Sequence, residues 1–240
     1  MRIGILEAGL VNKKLIVKHG SYATMFEELF RKLIERSTFT TVKLINGEFP
    51  RSAFEADLWI ITGSRFGVYD NLPWLKPLKV FLTKCVEERI PLFGVCFGHQ
   101  LLAEVLGGKV EKFQRGWSLG VSEYQIDRDF SWTSNLPQKL NVYSFHQDQI
   151  IETPKGSTVV AFSNFCKNAI LAYGKPNSPY AISIQSHPEF TQEYMGDLIR
   201  LRKDSFCTKS VPDKALKTLR MPVKNEILVK NIAYALLKNK

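Results

Sequence analysis

The sequence predicts an α/β protein: an open, mostly parallel sheet with helices on both faces, forming a three-layer sandwich, plus a small antiparallel β extension. Three observations predict it. Short apolar runs alternate with helix-period segments through the N-terminal part of the chain. Between Lys109 and Gln185 the pattern changes to a succession of short β-rich runs. Between these regions, a wholly apolar run at 91–95 passes through Gly-Val-Cys-Phe-Gly directly into a helical pattern.

Taken in order, residues 2–7 read as the first strand. Residues 21–36 read as a helix, with Phe26, Leu29, Phe30, Leu33 and Ile34 forming one apolar stripe. Thr24 and Glu27 offer a capping box near its start. Residues 41–45 and 58–61 are further strands, a helix covers about 77–89, and the apolar run 91–95 is a buried strand. The β-rich middle contains runs at 110–113, 119–126, 140–145, 158–161, 170–173 and 181–184, which form the expected antiparallel extension. Residues 191–206 and 223–238 read as helices. No repeat, low-complexity tract or Pro/Gly linker divides the chain, so one domain is expected over 1–240, with a C-terminal helical extension from about 205.

Composition excludes several function classes. The apolar content of 45% suits a globular core and argues against disorder. The four cysteines, Cys85, Cys96, Cys166 and Cys207, form no paired framework, which favours free thiols in a reducing compartment. No secretory pattern follows Met1, and no apolar run reaches the roughly 18–20 residues that span a bilayer. A soluble, cytoplasmic protein is the expectation, without membrane contact. The net charge of +10 is spread along the chain and accompanies no nucleic-acid motif. It reads as a solvated lysine-rich surface, and no nucleic-acid partner is expected.

Chemistry concentrates at Cys96. A strand ending in Gly-x-Cys-x-Gly and turning straight into a helix is the cysteine counterpart of a nucleophile elbow. Gly94 and Gly98 let strand and helix approach closely, pushing the Cys96 side chain out at the C-terminal edge of the sheet. The free N–H groups and positive dipole end of the helix favour thiolate there. The other three cysteines lack this context and read as buried structural residues.

A cysteine nucleophile needs a base, and only His19, His99, His146 and His187 are available. His187 follows the apolar run 181–184 and precedes Pro188, which places it in a loop at a strand's C-terminal end, where open α/β sheets hold their sites. Glu189, two residues on, can return to hydrogen-bond the ring and fix its tautomer. His99 lies on the elbow helix, where packing beside the site is the expectation. His19, Trp117 and Tyr69 are candidates for the entrance.

These residues resemble a known family. Gly-Val-Cys-Phe-Gly-His-Gln, followed by Gln-Ser-His-Pro-Glu, is similar to the class I, triad-type glutamine amidotransferases, over about residues 1–200. The resemblance implies a flavodoxin-like three-layer sandwich and a Cys96, His187, Glu189 triad. Leu-Trp-Ile-Ile-Thr-Gly63-Ser64-Arg65 stands where the family carries Ser-Gly-Gly-Pro, which implies backbone N–H donors from Ser64 and Phe97 to an oxyanion hole, with Gly63 in the substrate turn. Tyr143-Ser-Phe145-His146-Gln-Asp148 resembles the family's Ser-His-x-Asp stretch at the amino-acid end of the substrate, with Phe145 in place of the serine. Gln100 resembles a family residue on the glutamine side. Asp148 reads equally as a loop brace. The stand-alone length, Thr-Gly-Ser and His-Gln-Asp look more like amidotransferase-like proteins and γ-glutamyl peptidases than the glutaminase halves of GMP or anthranilate synthases.

The implied chemistry is acyl transfer: cysteine-dependent hydrolysis of the γ-glutamyl amide of glutamine through a γ-glutamyl thioester on Cys96. The alternative is a stand-alone peptidase acting on γ-glutamyl peptides such as glutathione conjugates. A catalytically silent binding module is a third reading, opposed by the intact Cys96, His187 and Glu189. No phosphate-binding loop, dinucleotide fingerprint or metal-ligand set is present, so no cofactor and no metal are expected. A glutaminase of this kind would pass ammonia to a separate synthetase subunit.

Overall fold

The computed structural model describes residues 1–206 and 210–238. In chain order the strands are β1 (Arg2–Glu7), β2 (Thr38–Lys43), β3 (Leu58–Ile61), β4 (Leu92–Val95), β5 (Lys109–Lys112), β6 (Ser118–Ile126), β7 (Lys139–His146), β8 (Asp148–Glu152), β9 (Ser157–Phe162), β10 (Ile170–Lys175) and β11 (Ser178–Ile184). The helices are α1 (Lys13–His19), α2 (Tyr22–Leu33), α3 (Leu75–Glu87), α4 (Phe97–Val105), α5 (Gln192–Arg202), α6 (Ser210–Thr218) and α7 (Asn225–Leu237).

Nine strands form one sheet in the order β2-β1-β3-β4-β11-β10-β9-β6-β7, and β5 pairs with β8 in a separate ribbon. β2, β1, β3, β4 and β11 are mutually parallel, which is the flavodoxin-like order for five strands. The expected α/β architecture is therefore present. One assignment changes. Residues 181–184 were expected in the antiparallel extension, yet β11 is the fifth parallel strand, paired with β4 by Ala181↔Leu92 and Ile184↔Val95. Its other edge pairs antiparallel with β10, so the extension grows directly from the parallel sheet through β11. Apolar alternation identifies a strand but not its neighbours.

Side-chain alternation divides the core. Ile3, Ile5, Leu58, Ile60, Phe93, Val95, Ile182 and Ile184 pack against α2 and α7 on one face. Leu6, Trp59, Ile61, Leu92 and Ala181 face α3 and α4 on the other. A third cluster joins α1, α5 and α6 to β7 through Tyr143, Phe190, Tyr194 and Met195. The capping box expected at Thr24–Glu27 does not form; Ser21 is the N-cap of α2 and accepts the Thr24 N–H at 3.1 Å. The first turn of α2 is also held by Glu7, buried at the end of β1, which accepts Ala23 N–H at 3.0 Å. β8 and α1 fall outside the expected elements, and α6 lies within the span expected as a C-terminal helical extension. Cys207 lies outside the described residues.

Candidate active site

Parallel strands bring their C-terminal ends to one edge, so the turns after β1, β3, β4 and β11 meet there. The turn after β4 is the sharpest. Cys96 has φ 51° and ψ −99° and occupies the N-cap position of α4. A non-glycine residue at positive φ is strained, as expected of a nucleophile elbow. The chain reverses tightly because Gly94 and Gly98 lack side chains: a Cβ on Gly94 would lie 2.5 Å from the Gly98 carbonyl oxygen, and one on Gly98 would strike Ile61. Cys96 N–H donates to Ile184 O at 2.9 Å, tying the elbow to β11. Phe97, the first residue of α4, has an N–H with no intrahelical acceptor.

His187 leaves β11 three residues later. Its N–H donates to Tyr143 O at 2.8 Å, anchoring the loop to β7. Its ring Nδ1–H donates to Glu189 Oε1 at 2.8 Å, and the ring lies within electrostatic reach of the Cys96 side chain. Phe190 stacks on the imidazole with centroids 4.1 Å apart and planes 6° from parallel. Burial alone pushes the imidazole towards the neutral form. The charges of Glu189 and Cys96 outweigh it, and the net shift raises the pKa of His187. The second carboxylate oxygen of Glu189, Oε2, is buried without a hydrogen-bond partner.

The Gly63–Ser64 turn after β3 completes the group. A Cβ on Gly63 would lie 2.8 Å from His187 Cε1 and 3.7 Å from Cys96 Cβ, so its backbone borders both. Cys96, His187, Glu189, Gly63, Ser64 and Phe97 thus converge on one sheet edge. A thiol held beside a charged imidazole, with backbone N–H groups nearby, can attack a carbonyl carbon and receive the oxyanion that forms.

Of the remaining substrate candidates, Gln100 is buried, and its Nε2 donates to Asp148 O at 2.9 Å and to Gln185 Oε1 at 3.2 Å. His146 is buried on β7, with Nδ1 3.3 Å from Asp148 O and Nε2 without a partner. Burial, aided by the nearby charge of His187, lowers the His146 pKa to about 3, so it is neutral at working pH. Phe145, half-buried, meets Trp117 at 5.6 Å and Phe206 at 6.0 Å between ring centroids. Among the described residues, no group of three His, Cys, Asp or Glu side chains could hold a metal ion.

A family model described as glutamine amidotransferase class-I matches residues 20–202. The chain belongs to this family. It is 27% identical over 209 residues to γ-glutamyl peptidase 5 of Arabidopsis thaliana, covering 84% of this chain and 81% of that protein. It is 26% identical to a glutamine amidotransferase-like protein of Schizosaccharomyces pombe, covering 98% of each. A solved glutamine amidotransferase from Thermotoga maritima superposes with a TM-score of 0.77 at 25% identity, covering 100% of this chain and 97% of that one.

Within this family framework, the other candidates take supporting places. His99 is fully buried, with Nε2 2.9 Å from Asn168 O and Nδ1 2.7 Å from Ser183 Oγ. Burial lowers its pKa to about 3, which leaves a neutral packing residue. Burial pushes the Cys85 and Cys166 thiols up to about 12, matching inert structural cysteines. Tyr69 donates to Asp148 Oδ2 at 2.7 Å, which makes Asp148 a brace between the loop after β3 and the start of β8. His19 instead pairs with Asp197 at 2.9 Å, joining α1 to α5. Sequence reasoning missed Gln185, whose Nε2 lies 3.8 Å from Cys96 Sγ. The signal lay in the register: Ile184 pairs with Val95, so the next residues, Gln185 and Cys96, leave adjacent strands side by side. Phe190 was missed as well, although it immediately follows Glu189.

Proposed function

We propose that this chain hydrolyses a γ-glutamyl amide through a thioester on Cys96. The observation that carries the reading is the buried His187–Glu189 pair, 2.8 Å apart, meeting a cysteine at a strained elbow across Gly63. The Cys96 thiolate attacks the γ-carbonyl carbon, and the Ser64 and Phe97 amides receive the negative oxygen. His187, charged against Glu189, gives its proton to the departing nitrogen, so ammonia or an amine leaves and the thioester remains. Water then gives a proton to His187 and attacks the thioester. Collapse restores the thiolate and releases the γ-carboxyl group, whose proton passes to the departed amine or to solvent. Gly63, Gln100, Phe145 and His146 border the acyl-donor pocket in this reading.

Glutamine is the simplest donor, and a separate synthetase would then take the ammonia. The likeness to γ-glutamyl peptidase 5 favours a second reading, in which the leaving group is the remainder of a γ-glutamyl peptide. No described helix is long and apolar enough to cross a membrane, and a cytoplasmic site of action is part of the proposal. Glutamate release from glutamine and, separately, from glutathione is the test, with Cys96→Ala as the control. Cys96-dependent release from glutamine supports the ammonia-donating reading, and release mainly from glutathione supports the peptidase. Absence of both, with Cys96 unlabelled by a glutamine-like diazo-ketone, overturns the proposal.

A further inference from the structure

Thr62 takes no part in the reaction steps above, yet it holds the far side of the Gly63–Ser64 peptide. It follows β3 and is 0% exposed. Its hydroxyl oxygen accepts the Ala8 N–H at 3.0 Å, which leaves its single O–H free to donate, and that O–H reaches Gly63 O at 3.1 Å. The Thr62 N–H donates to Leu6 O at 3.2 Å, so the residue is tied to the end of β1 by backbone and side chain together. A trans peptide unit is planar, with its C=O and N–H pointing in opposite directions. A hydrogen bond that turns the Gly63 carbonyl towards Thr62 therefore turns the Ser64 N–H away from it.

Gly9, in the turn that follows β1, closes the brace. A Cβ there would lie 2.7 Å from Gly63 O and 3.0 Å from Ser64 Cα, so this peptide rests directly against the Gly9 backbone. On the opposite side, Gly63 borders His187 and Cys96, as its own Cβ contacts require. The peptide is thus clamped between β1 and the reacting pair, and a buried hydroxyl sets its rotation.

We propose that Thr62, backed by Gly9, is a positioning residue that aims the Ser64 amide at the developing oxyanion. The proposal rests on the reading of Ser64 as an oxyanion donor. Such donors act because they are already oriented when charge appears. Loss of the aim weakens the transition state and leaves ground-state binding of the donor alone, so kcat falls while KM holds.

The experiment compares wild type with Thr62→Val, which keeps the shape without the O–H, Thr62→Ser, which keeps the O–H, and Gly9→Ala, which pushes on the same carbonyl. Each is assayed for Cys96-dependent glutamate release and for the rate of Cys96 alkylation by iodoacetamide, followed on the Cys96 peptide. Alkylation displaces iodide at a saturated carbon and forms no oxyanion, so it reports whether the thiolate is intact without using the Ser64 amide. Removing an oxyanion donor costs about 10²–10³ in rate, so misaiming one in Thr62→Val or Gly9→Ala is expected to cost about 10–100-fold in kcat. KM and the alkylation rate should stay at wild-type values, and Thr62→Ser should recover most of kcat. Wild-type kcat in Thr62→Val, no recovery in Thr62→Ser, or a parallel loss of alkylation overturns the assignment. Absence of Cys96-dependent release in the wild type overturns the parent reading instead, and this assignment with it.

Discussion

Cys96 stands in a backbone conformation that a residue with a Cβ adopts only under constraint, and its neighbours supply the constraint. Gly94, Gly98 and the Ile184 carbonyl hold the turn, while His187 and Glu189 hold the charge. The raised pKa of His187 makes one prediction directly. Glu189→Gln removes the largest of the charges that together outweigh burial, so the imidazolium should lose its proton at lower pH than in wild type. The His187 titration followed by NMR checks this, and an unmoved titration would mean that Glu189 is not the stabilising charge. The same variant should lower kcat by about 10²–10⁴, the usual worth of general acid–base help. Gln185, Thr62 and Phe190 surround these groups without any motif of their own. Their contacts come from neighbouring strands or from ring stacking, which spacing along the chain does not encode.

At the scale of elements, the site depends on how closely β4, α4 and β3 approach. A Cβ on Gly98 would collide with Ile61 of β3, including its carbonyl oxygen, and backbone cannot swing aside as a flexible side chain can. Gly98→Ala should therefore destabilise the protein by about 1–3 kcal/mol or more, the range for overpacked cores. Urea unfolding checks this, and an unchanged midpoint would show that the two elements separate freely. The elements with strong periodicity, β1, β3, β4, α2 and α7, were legible, to within a few residues at their ends. The helix at 191–206 was legible too, although α5 ends at Arg202 and a short 3₁₀ turn, Lys203–Ser205, follows. β8 begins two residues beyond β7, and α1 is only seven residues long, too short for a period to show.

Over the whole molecule, three buried histidines bend the pH dependence of stability. His99 and His146 have folded pKa values lowered to about 3. Below the ordinary histidine value of about 6.5, the unfolded chain therefore binds protons that the folded chain refuses, and stability falls as pH falls. His187 has a raised folded pKa, so its contribution is full below about 6.5 and is lost as pH rises towards the folded value. Unfolding free energy should accordingly peak near pH 6.5, with an acid limb approaching about 1.4 kcal/mol per pH unit for each of the two refused protons. Denaturant titrations from about pH 5 to 8 check it, because carboxylates titrate below that window. A flat profile would count against the neutral, buried state of His99 and His146.

The sequence by itself determined the fold class, most of the elements and the identities of Cys96, His187 and Glu189 as candidates. These follow from local chemistry: alternation that buries one side of a strand, glycines that permit a tight turn, and a proline that ends a strand beside a histidine. Only the tertiary structure decided that β11 lies between β4 and β10, that Gln185 reaches the sulfur, and that Thr62 joins β1 to the Gly63 carbonyl. Each of those facts depends on which strands become neighbours. Neighbours are selected by burial and backbone pairing summed over the whole sheet, and no short stretch of sequence carries that sum.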